Sequence, residues 1–250
     1  MKIGVGVPCY KRPEFTKFCV PLAIRNAGIE AKWYLVDDRS NDETFEFLLD
    51  LQRRESVPTK VTQNFENMGI AMTRNMIFKM MLEEDIDIFV NIDNDLLLPT
   101  NWLRDLVLAL AAKTNFHAIG PWFVNDNNIN NSLKKLDPLD LFGNDELIEL
   151  PIGGGCVLYR REIFEEGIFY PDRKANWQYQ DSQYHGKIRA AGYRVGLYTG
   201  VQAWLLERII WNPMEEDKLK IRHATLNKGS LDGFEENLER LKRRVPFGST

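Results

Sequence analysis

Cysteine is scarce in this sequence. The three cysteines, at positions 9, 19 and 156 of 250, are widely spaced, and no two of them form a CxxC pair. This spacing excludes a disulfide framework and indicates free thiols. We therefore predict a reducing, cytoplasmic compartment.

Long hydrophobic runs and an excess of positive charge are also missing. No segment approaches the roughly 18 apolar residues that span a bilayer, and the apolar run in the N-terminal "MKIGVGVPCYKR" is too short for a signal peptide. The net charge of -4 gives no overall reason to bind a polyanion. The basic stretches "KLKIRH" and "RLKRR" could attract a membrane surface or nucleic acid, although solvated helix faces are the commoner explanation. Any membrane contact is predicted to be peripheral.

A glycine-rich phosphate loop is missing after the first predicted strand. In "GVGVPCYKRPE", Gly4 and Gly6 are followed by Cys9, where a GxGxxG motif requires a third glycine. This excludes a dinucleotide-binding oxidoreductase. The segment also lacks the glycine-rich signature of nucleotidyltransferases on related sheets.

What the sequence does contain is a regular alternation of apolar strands and helices, with 44% hydrophobic residues. The first half has strands at 2–7, 32–38, 60–64 and 87–93 and helices near 14–27, 42–54 and 69–84. Ser40 and Glu43 have capping-box spacing before the second helix. Each strand is too apolar on both faces for an exposed edge. This alternation predicts an α/β fold with a Rossmann-like, mostly parallel central sheet and helices on both sides.

The rhythm changes from residue 99 onward. The order is a helix at 100–113, a strand at 117–122, an Asn-rich loop at 125–131, the glycine-containing segment 150–164, a helix at 181–191 and a strand at 193–198. We interpret 99–205 as a second half that shares the same sheet. The remainder, 206–250, is predicted to be a C-terminal helical extension, in which Phe234, Leu238 and Leu241 mark an apolar stripe.

Polar residues follow three of the predicted strands. Ligands of open parallel sheets bind beyond the carboxyl ends of the strands, so these residues are expected to share one rim. They are Pro8, Tyr10 and Arg12 after the first strand, Asp37 and Asp38 after the second, and Asp93 and Asp95 after the fourth.

The acids of "DND" admit two interpretations. Residues two apart in an extended segment face the same side, so Asp93 and Asp95 could together hold Mg²⁺ or Mn²⁺ for a diphosphate. Alternatively, they end the strand and cap the next helix. Asp37 and Asp38 also admit two interpretations, because either could cap a helix or accept hydrogen bonds from a nucleotide base or ribose.

Six motifs together resemble the family 2 glycosyltransferases, which have the GT-A fold. They occur in family order over residues 1 to about 200: "VPCYKRPE", "YLVDDRSNDET", "NMGIAMTRN", "NIDNDLLLPTNWL", "GGGCVLYRREIFEEGIFY" and "QDSQYHGKIRAAGYRV". The resemblance implies a metal-dependent inverting glycosyltransferase with Mn²⁺ or Mg²⁺ and a nucleotide-diphosphate sugar, for which we expect a UDP-sugar. It also implies that 1–98 is the nucleotide-sugar-binding half and that 99–205 is the acceptor-binding half.

The resemblance assigns roles to individual residues. Asp181 would be the catalytic base, and Asp93 and Asp95 would be the DxD motif at the metal. The remaining residues would line the nucleotide, diphosphate or sugar site: Pro8, Tyr10, Arg12, Asp37 or Asp38, Gly69, Arg74, Asn75, and Gly153, Gly154 and Gly155. Asp181 could equally be a helix N-cap, and the three glycines could be only a turn.

The sequence departs from the family in two places. The usual acidic pair before the last helix is Gln180-Asp181, and the histidine expected after the last strand is replaced by "TGVQAWLLE". His223 could supply the missing metal ligand, or it could be a solvated surface residue. His117 and His185 are expected to serve structure or solvent, with His185 close enough to Asp181 to touch an acceptor.

Two alternative functions remain open at this stage. One is a non-catalytic GT-A-like domain that binds a nucleotide sugar or glycan, against which the retained acids argue. The other is transfer to modified bases in nucleic acid. The acceptor hydroxyl is therefore a glycan, a lipid-linked group or modified nucleic acid, and the sequence does not distinguish them.

Overall fold

The computed structural model describes residues 1–123, 147–150, 152–171 and 180–206. In the first half, strands and helices alternate in the order β1 (Ile3–Cys9), α1 (Pro13–Arg25), β2 (Lys32–Asp37), α2 (Thr44–Arg54), β3 (Thr59–Gln63), α3 (Ile70–Glu83), β4 (Ile88–Ile92), β5 (Leu96–Leu97) and α4 (Trp102–Ala112). The described second half contains β6 (Ala118–Phe123), β7 (Leu147–Ile148), β8 (Cys156–Arg160), α5 (Glu162–Glu165), α6 (Gln180–Ala190) and β9 (Val195–Leu205). The predicted elements within these residues are confirmed. The Asn-rich loop and nearly all of 206–250 lie outside the described residues.

The strands of the described chain form a nine-stranded sheet with the order β3-β2-β1-β4-β8-β6-β9-β5, and β7 also pairs with β9. Strands β1 to β4, β6 and β9 point the same way, whereas β5, β7 and β8 run antiparallel to their partners. The predicted mostly parallel sheet is thus confirmed. Because β4 pairs with β8, the carboxyl ends of β1, β2 and β4 share one rim with the loop that precedes β8. The division at residue 98 stays a prediction.

Two sequence expectations about the first half were wrong. The side chain of Asp42, not that of Ser40, accepts a hydrogen bond from Thr44 at the start of α2, at 2.9 Å. Ser40 instead donates its hydroxyl to the Asp37 carboxylate and accepts the backbone N–H of Lys11 at 2.8 Å. Strand β3 is an edge strand, and all five of its residues are half-buried. Its Thr, Lys and Gln side chains can face water on one side. The prediction that this strand is too apolar for an exposed edge was therefore wrong.

Helix α3 packs directly on β1. A β-carbon on Gly6 would overlap the side chain of Ile77, so only glycine allows this approach of helix to strand. In the same contact, the buried ring of Phe78 in α3 packs with those of Phe89 and Phe164 at centroid distances of 4.5 to 6.1 Å. Burying each such ring contributes about 2 to 3 kcal/mol. The core therefore fixes α3 against the sheet, and with it the residues at the N-terminal end of α3.

The two arginines at the end of β8, Arg160 and Arg161, bind carbonyl groups near the ends of two helices. Arg160 donates to the carbonyl oxygens of Phe116 and Leu110 at 2.8 and 2.7 Å. Arg161 donates to those of Ile86 and Leu82 at 2.9 and 3.2 Å. These two arginines therefore satisfy carbonyl groups at or just beyond the C-terminal ends of α4 and α3.

Replacing Arg160 with Met is expected to lower the free energy of unfolding by about 1 to 3 kcal/mol, because two half-buried carbonyl groups lose their charged donor. Urea unfolding would measure the change. Arg104→Met is the control, because the Arg104 side chain is exposed and pairs with its neighbour Asp105. Equal midpoints for the two variants would contradict the capping role of Arg160.

No helix among the described residues is long and apolar enough to cross a membrane. All three cysteines are buried free thiols.

Candidate active site

The carboxyl ends of β1, β2 and β4 open into a cleft of about 450 Å³. Nine of the sequence-predicted site residues line it: Pro8, Tyr10, Arg12, Asp38, Gly69, Arg74, Asp93, Asp95 and Asp181. They come from positions up to 173 residues apart in the chain, as Pro8 and Asp181 show. Its further lining includes Cys9, Lys11, Asn67, Met68 and Gln180, to which the sequence had assigned no role in the site.

Arg74 links the first DxD acid to the predicted base. Its guanidinium donates to Asp93 Oδ1 and to Asp181 Oδ1, each at 2.6 Å. The side chain of Arg74 is only 3% exposed, so the two carboxylates compensate a buried charge. Burial raises the pKa of Asp93 to about 6, against the lowering effect of Arg74 and together with the nearby charges of Asp95 and Asp181. The guanidinium of Arg74 thereby connects the end of β4 to the start of α6.

Asp95 pairs with a different arginine. Arg12 Nη2 donates to Asp95 Oδ2 at 3.0 Å, and the two side chains are 12% and 13% exposed. Lys11 and Arg12 both have positive φ angles, 53° and 56°, which L-residues adopt at a cost of about 1 to 2 kcal/mol each. The Ser40 hydroxyl holds the N–H of Lys11 in this conformation. A strained loop therefore places the side chains of Lys11 and Arg12 in the cleft, just after the carboxyl end of β1.

The glycines before β8 make room for the acids. A β-carbon on Gly154 would overlap the Asp181 carboxylate, and one on Gly155 would lie 3.3 Å from Asp93 Oδ2. The carbonyl oxygen of Gly155 accepts the Asp93 N–H at 2.7 Å, and that of Gly154 accepts Asn91 Nδ2 at 3.0 Å. Gly153 is half-buried beside them. Asp93 and Asp181 line the cleft, whereas the three glycines lie behind them.

Asp37 and Asp38 differ in exposure to the cleft. Asp37 is fully buried, with Ser40 and Gln63 donating to its carboxylate, and it lies behind the residues that line the cleft. Asp38 lines the cleft, and its carboxylate accepts hydrogen bonds from Asn64 and from the N–H groups of Met68 and Gly69 at 2.7 to 2.8 Å. Asp38 therefore shapes the loop that ends at Gly69, where φ is 80° and α3 begins.

The donor set suits a hard divalent cation that shares its coordination with a phosphate ligand. Asp93 and Asp95 each give one oxygen to an arginine and carry a second carboxylate oxygen at the same cleft. Within the described ranges, no group of three or more His, Cys, Asp or Glu side chains could hold a metal ion unaided. Mg²⁺ sites commonly consist of one or two carboxylates, waters and substrate phosphates, which this pair could complete. His223, the third predicted ligand, lies outside the described residues.

Asn75 and Tyr170 lie behind the residues that line the cleft. Asn75 is 6% exposed, and its side-chain amide forms hydrogen bonds with the backbone N–H and carbonyl of Tyr170 at 2.9 and 3.0 Å. The sequence had not identified Tyr170, whose hydroxyl donates to Asp181 Oδ1 at 3.2 Å. Tyr170 ends one of the six motifs and Asp181 lies in the next, 11 positions later, and no spacing rule predicts a contact between them.

The described histidines are structural. His185 is 1% exposed and lies 3.2 Å from the Tyr159 hydroxyl, and burial lowers its pKa to about 4. Burial at this depth keeps it from an acceptor, despite its closeness to Asp181 in sequence. His117 packs on the ring of Tyr193 at a centroid distance of 4.5 Å.

Comparison with known proteins agrees with the geometry. A family model described as "Glycosyl transferase family 2" matches residues 4–168. No curated protein matches the sequence significantly.

Solved structures with the same fold include three with bound nucleotides. S. aureus TarS in complex with UDP-GlcNAc has a TM-score of 0.60 at 18% identity, and the alignment covers 82% of this chain and 58% of that one. Mannosyltransferase PcManGT from Pyrobaculum calidifontis, in complex with GDP-Man and Mn²⁺, has a TM-score of 0.66 at 18% identity, covering 99% and 66%. GalNAc-T7 with UDP, GalNAc and Mn²⁺ has a TM-score of 0.63 at 14% identity, covering 99% and 58%.

The present chain spans less than two thirds of the length of each of these three proteins. At such low identity the likeness establishes the GT-A fold, which confirms the expected architecture.

Proposed function

The chain belongs to glycosyl transferase family 2, and from that premise we propose that it moves a sugar from a nucleotide-diphosphate sugar to an acceptor hydroxyl with inversion at the anomeric carbon. In this proposal Asp181 is the general base, and Asp93 and Asp95 hold the metal–diphosphate group. The observation that carries it is the convergence of these three acids, from the loop after β4 and the start of α6, on one cleft around two arginines.

The charges at the cleft support a requirement for a cation. Among the described lining residues, three are cationic (Lys11, Arg12, Arg74) and four are acidic (Asp38, Asp93, Asp95, Asp181), which leaves one excess negative charge. A diphosphate is itself anionic, so the net charge of such a cleft opposes its binding. A divalent cation at the DxD acids would reverse the sign of the local charge. When bound, that cation supplies electrostatic stabilisation to the departing nucleoside diphosphate.

The residues of this chain would divide the remaining work. The Asp181 carboxylate, 39% exposed and anchored through Oδ1, can accept the proton of a hydroxyl that attacks the anomeric carbon. Pro8, Tyr10 and the loop ending at Gly69 would enclose the nucleotide. Arg74 keeps Asp93 and Asp181 at a fixed separation, so that donor and acceptor meet in one geometry.

The neighbours support a nucleotide-sugar donor without selecting its base. TarS was solved with UDP-GlcNAc and PcManGT with GDP-Man and Mn²⁺. We retain a UDP-sugar as the first donor to test and propose Mn²⁺ or Mg²⁺ as the cation. The acceptor remains a hydroxyl on a glycan, a lipid-linked group or modified nucleic acid.

The test is a thermal-shift panel of UDP-, GDP-, CDP- and ADP-sugars, each with and without Mn²⁺. A ligand at 100 times its Kd stabilises the native state by about 2.7 kcal/mol, which raises the melting temperature by several degrees. We expect one nucleotide class to give a shift that requires the metal. Replacing Asp95 with Asn should abolish this shift, because the cleft loses an anionic ligand. Equal stabilisation with and without Mn²⁺ would contradict the assigned metal role.

Asp105→Asn is the matched control for Asp95→Asn. Asp105 lies in α4 outside the cleft and pairs with Arg104, so its loss should leave metal-dependent binding intact. If no nucleotide sugar shifts the melting temperature of the folded wild type, the proposed function is wrong. If binding occurs but no sugar is transferred to any acceptor or to water, the non-catalytic alternative is correct.

A further inference from the structure

The phenol of Tyr170 occupies the junction between Arg74 and the predicted base. Arg74 Nη1 donates to the Tyr170 hydroxyl at 3.2 Å, and that hydroxyl donates to Asp181 Oδ1, also at 3.2 Å. Arg74 Nη1 reaches the same carboxylate oxygen directly at 2.6 Å. Three polar groups therefore close a triangle, in which Asp181 Oδ1 accepts two hydrogen bonds from different elements.

Tyr170 is itself held on all sides. Its backbone N–H and carbonyl both bind the side-chain amide of Asn75 in α3. Its ring stacks on Tyr184 with centroids 4.0 Å apart and lies 5.3 Å from the Arg74 guanidinium. The residue as a whole is 3% exposed. A side chain fixed in this way has little rotamer freedom and gives direction to its hydroxyl.

Tyr170 contacts α6 at two points. Asp181 and Tyr184 lie three residues apart, on adjacent turns of the same face of α6. Tyr170 thus binds the start of α6 through its hydroxyl and the next turn through its ring, while Asn75 joins it to α3. The Asp181 carboxylate is thus linked to α3 through Tyr170 and Asn75, in addition to its direct contact with Arg74.

We propose that Tyr170 is a positioning residue for the base: held by Asn75 and Tyr184, its hydroxyl aims the Asp181 carboxylate at the acceptor side of the cleft. This inference rests on the proposed function, in which Asp181 takes the acceptor proton. It also gives Asn75 a role behind the base, in place of the contact with the nucleotide that the family resemblance implied. Neither Tyr170 nor Asn75 lines the cleft in the described part of the chain.

The test compares Tyr170→Phe with wild type in the release of nucleoside diphosphate from the donor found in the panel, with water or an identified hydroxyl as acceptor. Loss of the hydroxyl leaves the ring packing intact but removes one of the two hydrogen bonds to Asp181 Oδ1. We expect kcat to fall about 10- to 100-fold, with the donor KM and the Mn²⁺-dependent thermal shift unchanged within about twofold, since misplacement of a reacting group by an ångström has effects of this size. A crystal structure of the variant should show the Asp181 carboxylate displaced.

Tyr34→Phe is the matched control. Tyr34 is also fully buried, and its hydroxyl also donates to a carboxylate, that of Glu84 at 3.0 Å, but this pair lies at the far end of α3 from the cleft. Its kcat should equal that of wild type. Asn75→Ala is a second variant, which releases the backbone of Tyr170 without altering its hydroxyl, and it should lower kcat without raising the donor KM.

The outcomes separate the inference from the proposed function. A wild-type protein that releases no nucleotide defeats the proposed function, and the positioning role with it. An active wild type with a Tyr170→Phe variant of equal kcat, or with Asp181 unmoved in its crystal structure, overturns the positioning role alone. A higher donor KM in Asn75→Ala would indicate that Asn75 contacts the nucleotide, as the family resemblance implied.

Discussion

Replacement of Asp181 with Asn is expected to lower the rate of sugar transfer by about 10³-fold, within the range of 10² to 10⁴ that general-base catalysis contributes. The amide can still accept a hydrogen bond from Arg74, so the local packing should persist, but it cannot take the proton of an acceptor hydroxyl. In the proposed function the donor would bind around Asp93 and Asp95, which line the same cleft. We therefore expect the metal-dependent thermal shift to remain as large as in wild type.

The measurement pairs initial rates with the thermal shift in the same preparation. Ser182→Ala serves as the control, because Ser182 is exposed on the next position of α6 and should keep wild-type activity. Normal transfer by Asp181→Asn would show that another group takes the proton. Loss of the thermal shift together with activity would instead place Asp181 in the donor site.

The fold could be predicted from the sequence because its signals are local. The apolar runs at β1, β2 and β4 and the helical periodicity between them determine a parallel sheet, and the rim residues follow from the ends of the strands. The errors occurred where side-chain chemistry is ambiguous. Ser40 has capping-box spacing with Glu43, yet it binds Asp37 and Lys11, because a serine hydroxyl serves a loop as well as a helix end.

The contacts within the site could not be predicted in the same way. Arg74 meets Asp181 across 107 positions of sequence, and Asn75 meets Tyr170 across 95. Such pairs depend on how α3 and α6 pack on the sheet, and spacing rules describe only neighbours on one element. Motif resemblance selected Arg74 and Asn75 as functional but gave no partner for either. Tyr170 ends the motif "GGGCVLYRREIFEEGIFY", but the resemblance gave it no role, so only the fold reveals its contact with Asp181.

Replacement of Gly154 with Ala is expected to reduce transfer by about 10²-fold or more, through displacement of the base. The added β-carbon would overlap the Asp181 carboxylate, so either the carboxylate or the backbone before β8 must shift. The backbone is poorly able to move, because the Gly154 carbonyl is bound to Asn91 in the buried strand β4. The carboxylate should therefore give way and weaken its contact with Arg74, and a shift of about 1 Å in a reacting group has effects of this size.

Gly186→Ala is the matched control on the helix that carries the base. A β-carbon on Gly186 would meet no atom within 4 Å, and alanine in a helix interior is favoured over glycine by about 1 kcal/mol. This control should therefore be active and slightly more stable to urea, whereas Gly154→Ala should be nearly inactive while it still binds the metal and nucleotide. Full activity in Gly154→Ala would mean that Asp181 works from another position, and the glycines would then return to the role of a simple turn. Loss of activity in Gly154→Ala but not in Gly186→Ala would show that the glycine run makes room for the Asp181 carboxylate. The spacing of the glycines in the sequence does not predict this role.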